Sequence, residues 1–198
     1  GLIKKREIVM KLLVLDGNSI FNRAFYGIKL LTTKEGLFTN AIYGFMTMLM
    51  KIKEDTQPSA VAIAFDMREP TFRHKAYAGY KAKRTGMPEE LAQQFPTLKE
   101  LLSLLGYKIV ECAGYEADDI LGTLAKSCEV NGNECIIATG DKDSLQLVSD
   151  NVSVRLMATK MGKPEVTLYD TAKIKEIYGV EPRKLIDIKA IQGDTSDN

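Results

Sequence analysis

Nine carboxylates fall where a folded chain could gather them. Asp16, Asp66 and Asp141 each close a short apolar run, "KLLVLD", "AVAIAFD" and "CIIATGD". Glu116, Asp118 and Asp119 crowd the stretch "GYEADDILG", Asp143 follows in "TGDKDS", and Asp194 and Asp197 lie in the final "GDTSDN". Two carboxylates about 4 Å apart repel by roughly 4 kcal/mol at an effective dielectric near 20, so a converged set must protonate or hold cations. Oxygen donors without histidine or cysteine favour Mg²⁺ or Mn²⁺ over zinc. Two such ions about 3.5–4 Å apart suit phosphodiester hydrolysis, because together they activate water and stabilise the leaving oxygen. Taken singly, each acid has a plainer explanation: a strand-to-turn junction at "LDG", acids complementing a helix dipole in "GYEADDI", Asp-rich turns and caps in the last two motifs. Their joint occurrence at one end of a sheet is what points to a metal centre.

The elements that must position them can be read from hydrophobic periodicity. The three apolar runs read as buried strands, and helical spacing recurs at 40–54, 88–105 and 116–128. Strands alternating with helices imply an α/β fold, a largely parallel central sheet with helices on both faces. Ligands in such sheets collect beyond the carboxyl ends of the strands, so Asp16, Asp66 and Asp141 are expected to converge. Residues 152–157 and 165–170 suggest a hairpin-like pair, and a last helix is expected over 171–178 or 182–191. On a regular helix Glu116 and Asp119 are neighbours, while Asp118 points about 160° away from Glu116. Glu116 and one aspartate are therefore expected nearest the ions, with the other acting through water or outer contacts.

Residues 67–87 read neither as strand nor as core. On a helical wheel Arg73, Tyr77, Tyr80 and Arg84 fall within about 60°, flanked by Lys81, with Lys83 nearby. Cations neutralise phosphates and a tyrosine ring stacks on an unpaired base, so the stripe suits single-stranded or frayed nucleic acid. Lys81 and Arg84 could also stabilise charge developing on a phosphate. A solvated surface helix with tyrosines docked on the core is the competing reading. His74 is the single histidine, which excludes a histidine-rich metal site and leaves a Ser-His-Asp triad without motif support. No Walker A or G-x-G-x-x-G pattern is present.

At 198 residues and 45% hydrophobic content the chain can build one sizeable core. A formal charge of +1 argues neither for nor against nucleic acid, so distribution decides. Residues 1–9 are set aside as a cloning scar or an upstream extension, leaving 10–198 as the domain. The apolar runs are far shorter than the roughly 20 residues that cross a bilayer, so a non-membrane, cytoplasmic protein is expected. Cys112, Cys128 and Cys135 lack C-x-x-C spacing and sit among apolar neighbours, which suits reduced core thiols.

Five ordered stretches, "VLDGNSIFNRAFY", "AFDMREPTFRHKAYAGYKAKR", "GYEADDILGTLA", "ATGDKDSLQLV" and "IQGDTSDN", resemble the N-terminal 5′-nuclease domain of bacterial DNA polymerases I, within the flap-endonuclease superfamily. The resemblance covers Met10–Asn198. It implies a PIN/flap-endonuclease-like fold with a helical arch at about 67–95. It also implies a divalent-metal 5′→3′ exonuclease and flap endonuclease of replication and repair, including primer removal. By the same resemblance the nine acids, Asp16, Asp66, Glu116, Asp118, Asp119, Asp141, Asp143, Asp194 and Asp197, are its metal carboxylates, holding two or more Mg²⁺ or Mn²⁺ ions. Asp16, Asp141, Lys81 and Arg84 carry the chemistry. The resemblance matches Arg73, Tyr80, Lys81 and Arg84 to the arch that directs the 5′ strand, and with Tyr77 and Lys83 of the basic stretch these are expected to receive the nucleic acid. The implied partners are DNA with a 5′ end or flap, RNA primer–DNA hybrids, and a polymerase portion of a longer chain; no membrane is involved. The family's duplex-gripping helix-turn-helix would follow "GDTSDN". A PIN-like ribonuclease and a catalytically weakened DNA-binding module are the alternatives. A haloacid-dehalogenase-type phosphatase is disfavoured because Val14 stands where its nucleophile motif needs an aspartate.

Overall fold

The computed structural model describes residues 9–66, 88–111, 113–161 and 163–185. Strands β1 (Lys11–Asp16), β2 (Ala60–Ala64), β3 (Lys108–Val110), β4 (Glu134–Thr139), β5 (Val152–Lys160) and β6 (Lys163–Tyr169) form one six-stranded sheet. Its order is β3-β2-β1-β4-β5-β6, parallel from β3 through β5, with β6 antiparallel to β5. After β1 the chain builds outward through β2 and β3, then returns to place β4 on the other side of β1. The order therefore reverses at the β1/β4 boundary, where a crevice at the carboxyl ends is built into the topology.

Alternation along the strands explains why the sheet is covered twice. Leu13, Leu15, Ile136 and Ala138 face one apolar cluster, whereas Val14, Cys135 and Ile137 face another. The first cluster is closed by α1 (Gly17–Gly27), α2 (Asn40–Thr56) and α3 (Glu89–Leu104), through residues such as Phe21, Phe45 and Phe95. The second is closed by α4 (Ala117–Val130), a 3₁₀ segment (Lys142–Leu147) and α5 (Thr171–Tyr178), through Ile120, Leu121, Leu145 and Ile174. Helices thus lie on both faces of a largely parallel sheet.

A buried amide ladder ties α3 to the start of α2. Gln94 Oε1 accepts from the Ala41 and Ile42 N–H groups, and its Nε2 donates to Asn40 Oδ1. Asn40 Nδ2 in turn donates to the carbonyls of Phe25 and Ile28. Two free N–H groups of a helix terminus and the end of α1 are satisfied in one network.

Helices expected at 40–54, 88–105 and 116–128 occur close to those bounds. The hairpin is real, and of the two options for the last helix 171–178 is helical, with a 3₁₀ turn following at Pro182–Lys184; residues 186–191 of the other option, 182–191, lie outside the described residues. Of the stretch assigned to an arch at about 67–95, residues 88–95 are described. From Glu89 onward it is α3, and Leu91 and Phe95 are core residues; their apolar spacing serves packing. Residues 67–87 lie outside the described residues, as do Arg73, His74, Tyr77, Tyr80, Lys81, Lys83, Arg84, Cys112, Asp194 and Asp197. Cys128 and Cys135 are free and buried, and burial pushes the Cys135 thiol well up. Among the described residues no helix is long and apolar enough to cross a membrane.

Gly17, the first residue of α1, is required by close approach. A β-carbon there would collide with the Phe65 ring and lie 2.8 Å from the Ala64 carbonyl oxygen. Because Phe65 is locked between Phe45 and Phe95, it has little room to yield. Gly17→Ala is expected to cost about 1–3 kcal/mol of stability, measurable by urea unfolding.

Candidate functional site

The carboxyl ends of β1, β2 and β4 carry the site. Asp16 is the last residue of β1 and 4% exposed. It occupies the N-cap position of α1, and its Oδ2 accepts from Thr139 Oγ1 at 2.9 Å. The plain reading of "LDG" as a strand-to-turn junction does not by itself account for this buried, hydrogen-bonded carboxylate. Burial, above all, holds its pKa above the usual aspartate value; hydrogen bonds from Thr139 and Ser19 act in the opposite direction, and the charge of Asp66 adds to the rise.

Asp66 follows β2 by two residues. Its backbone N–H donates to Asn18 Oδ1 at 2.7 Å, and its Oδ1 accepts the Ala117 N–H at the start of α4. Asp141 follows β4 by two residues; its N–H donates to Thr139 Oγ1, and its Oδ1 accepts the Asp143 N–H at 2.9 Å. Asp141 thus caps the 3₁₀ segment, and Asp143 sits in that segment's first turn.

The geometry of 116–119 bears on which aspartate accompanies Glu116. Helix α4 begins at Ala117, and Glu116 is the N-cap residue with extended backbone, φ −81° and ψ 160°. The i, i+3 relation between Glu116 and Asp119 fails because Glu116 is not on the helix. Asp118 is the residue turned toward the other acids. Much of its surface is open to solvent, yet its carboxyl end is crowded. Burial first, then the charges of Asp16, Asp141, Asp66 and Glu116, raise its pKa to about 6. Asp119 is exposed and is not among the charges acting on Asp118. Its backbone N–H donates to the Glu116 carbonyl and its own carbonyl accepts from Thr123.

Four acids from separate segments, Asp16, Asp66, Glu116 and Asp141, thus act on Asp118, and Asp66 acts on Asp16 as well. Among the described residues, no three acidic side chains stand in a ready-made chelate. The donor set nonetheless fits a hard divalent cation: it is all oxygen, it holds excess negative charge, and Asp118 responds with a pKa raised to about 6.

Residues that the acidic motifs do not reveal complete the site. Ser19 Oγ lies 3.2 Å from Thr139 Oγ1 and accepts the Gly140 N–H at 3.0 Å. Arg23 Nη2 donates to the Gly140 carbonyl at 2.7 Å, and its side chain lies so close that a β-carbon on Gly140 would meet it at 2.8 Å. Spacing offers only a faint signal for these: Ser19 and Arg23 are four apart, so one helical face reaches the end of β4.

A family model described as "5′-3′ exonuclease, N-terminal resolvase-like domain" matches residues 11–179. DNA polymerase I of Bacillus subtilis is 44% identical over 188 residues, and the thermostable DNA polymerase I of Thermus filiformis is 44% identical over 189. Each alignment covers 95% of this chain but only 21% and 22% of the relative, so the chain spans about a fifth of the length of those polymerases. Among solved structures, phage T5 5′-exonuclease with bound divalent metal ions (zinc) superposes with a TM-score of 0.66 at 21% identity, over 95% of this chain and 68% of that one. The catalytic core of Rad2 in complex with a DNA substrate gives 0.53 at 17% identity, over 94% and 55%. These structural matches establish a shared fold, and the extent of the sequence match establishes descent: the chain belongs to the family of 5′–3′ exonuclease N-terminal, resolvase-like domains.

Proposed function

We propose that the chain is a divalent-metal-dependent 5′-nuclease that hydrolyses phosphodiesters in DNA, acting as a 5′→3′ exonuclease and as a 5′-flap endonuclease. The observation that carries this reading is the convergence of five acids from four segments at the sheet's reversal point, in a member of the exonuclease family. Asp16, Asp66, Glu116, Asp118 and Asp141 would hold the ions, with Asp119, Asp143, Asp194 and Asp197 extending the set. Mg²⁺ or Mn²⁺ suits the oxygen donors. When bound, such ions neutralise the phosphate and lower the cost of generating a nucleophile from water.

The protein's own contribution is positioning and charge. Buried Asp16, aligned by Thr139, is the rigid anchor of the set, whereas Asp118 can exchange its proton near neutrality. Arg73, Tyr77, Tyr80, Lys81, Lys83 and Arg84 would receive the 5′ strand, with Tyr80 stacking on a base. Lys81 and Arg84 would orient the scissile phosphate and offset its developing charge. The product would carry a 5′-phosphate, and no covalent enzyme intermediate is needed. The proposed setting is replication and repair, primer removal included, in keeping with relatives named DNA polymerase I.

Cleavage of a labelled 5′-flap duplex with Mg²⁺ and with chelator tests the reading. Metal-dependent cleavage at the junction supports it; equal turnover without metal, or cutting confined to RNA, contradicts it, the latter in favour of a PIN-like ribonuclease. Lys81→Ala is expected to lower the single-turnover rate on that flap by about 100-fold, the scale for losing one preorganised charge at a reacting phosphate.

A further inference from the structure

Asp16 is followed by Gly17, Asn18 and Ser19, and these neutral residues reach in two directions. Asn18 Oδ1 accepts the N–H of Asp66 at 2.7 Å, beyond β2. Ser19 Oγ accepts the N–H of Gly140 at 3.0 Å, beyond β4, and shares a hydroxyl contact of 3.2 Å with Thr139. β2 and β4 are the two strands flanking β1. Consecutive helical residues diverge by about 100°, so adjacent side chains in the first turn of α1 can each take one neighbour. Four residues later, Arg23 adds a 2.7 Å bond from Nη2 to the Gly140 carbonyl. Both peptide groups thus gripped lie at or next to acids that repel one another.

We propose that Asn18 and Ser19 are positioning residues of the metal centre, spacing the ends of β2 and β4 about Asp16 so that the carboxylates are held converged before any ion binds. The inference rests on the metal-site reading above. Hydrogen bonds from uncharged groups suit the task, because they hold the strand ends without adding to or cancelling the negative charge that attracts the ion. Second-layer contacts of this kind preorganise ligands and are commonly felt as a change in metal affinity.

The test compares the parent with Asn18→Ala, Ser19→Ala and Ser19→Thr. Mn²⁺ affinity is read by titration of the protein alone, and amide exchange is read on the metal-free protein. Each alanine variant is expected to weaken Mn²⁺ binding about 10-fold, with Ser19→Thr within about 2-fold of the parent. Exchange should accelerate selectively at Asp66 in Asn18→Ala and at Gly140 in Ser19→Ala. On flap DNA, the Mg²⁺ concentration for half-maximal rate should rise while KM for DNA stays unchanged. Parent-like Mn²⁺ affinity in both alanine variants overturns the proposal, and so does a Ser19→Thr variant as weak as Ser19→Ala. If an alanine variant does not fold, Ser19→Cys and Asn18→Leu, which keep the side-chain branching, make the same comparison. A parent that itself binds no Mn²⁺ contradicts the underlying functional reading, whereas unaltered binding in the variants overturns this inference alone.

Discussion

Asp16→Asn and Asp141→Asn should each lower the rate of 5′-flap cleavage by about 1,000-fold or more, equivalent to roughly 4 kcal/mol of transition-state stabilisation. Asparagine preserves shape at both positions. At 16 it still offers an oxygen to the Thr139 hydroxyl, and at 141 it still accepts the Asp143 N–H. What disappears is the negative charge at the two strand ends bordering the sheet's reversal point. Single-turnover cleavage at saturating enzyme is the measurement, with urea unfolding to confirm that the variants remain folded. Parent-like rates in both would remove these residues from the metal centre. Binding of the DNA should change little, because the groups expected to grip it lie in the basic stretch instead.

The second large effect concerns stability and pH in the metal-free protein. Asp118 has its pKa raised from 3.8 to about 6. An acid with a raised folded pKa stabilises the fold fully below its unfolded value, and that contribution is lost as pH rises through the folded one. Stability should therefore decline between about pH 4 and pH 7, with Asp16, also raised, acting in the same direction. Discounted for the solvent exposure of Asp118, the effect is about 1 kcal/mol, or roughly 2–4 °C in Tm. Asp118→Asn should melt higher than the parent at neutral pH and match it near pH 4. Saturating magnesium, at about 100 times its Kd, should raise the parent by roughly 2.7 kcal/mol, or about 5–10 °C. Thermal melts of parent and variant across this pH range, with magnesium and with chelator, decide the matter. Coincident pH profiles and no magnesium shift would mean that the acids do not form a strained cluster.

Much of this organisation is legible in local pattern. The runs ending at Asp16, Asp66 and Asp141 are continuous and apolar because a parallel strand covered on both faces needs nothing else. The helix at 116–128 announces itself through Ile120, Leu121 and Ala125, which keep the same face buried. Strand β3 is not legible, since three residues carry too little pattern to separate from a loop. Helix α1 is also hidden: its start is a Gly-Asn-Ser sequence with turn character, and it is stabilised by packing of Ile20, Phe21 and Ala24 against the sheet.

The acidic stretch "GYEADDILG" shows where the boundary falls. Residue type and spacing alone give a dense charge ahead of a helix and, together with the other motifs, a family. Which acid faces the cluster depends on where the helix begins. In the fold Glu116 is an extended N-cap, Ala117 is the first helical position, and Asp118 is the aspartate on which Asp16 and Asp141 act, while Asp119 is exposed. The same holds for Asn18, Ser19 and Thr139, ordinary polar residues whose roles appear only when β1 is set between β2 and β4. Composition and periodicity are local properties, and so strands, helices and the chemistry of the donors follow from them. Direction and distance between side chains about 50 to 120 positions apart arise from topology and packing, so the arrangement of the site emerges only in the folded chain.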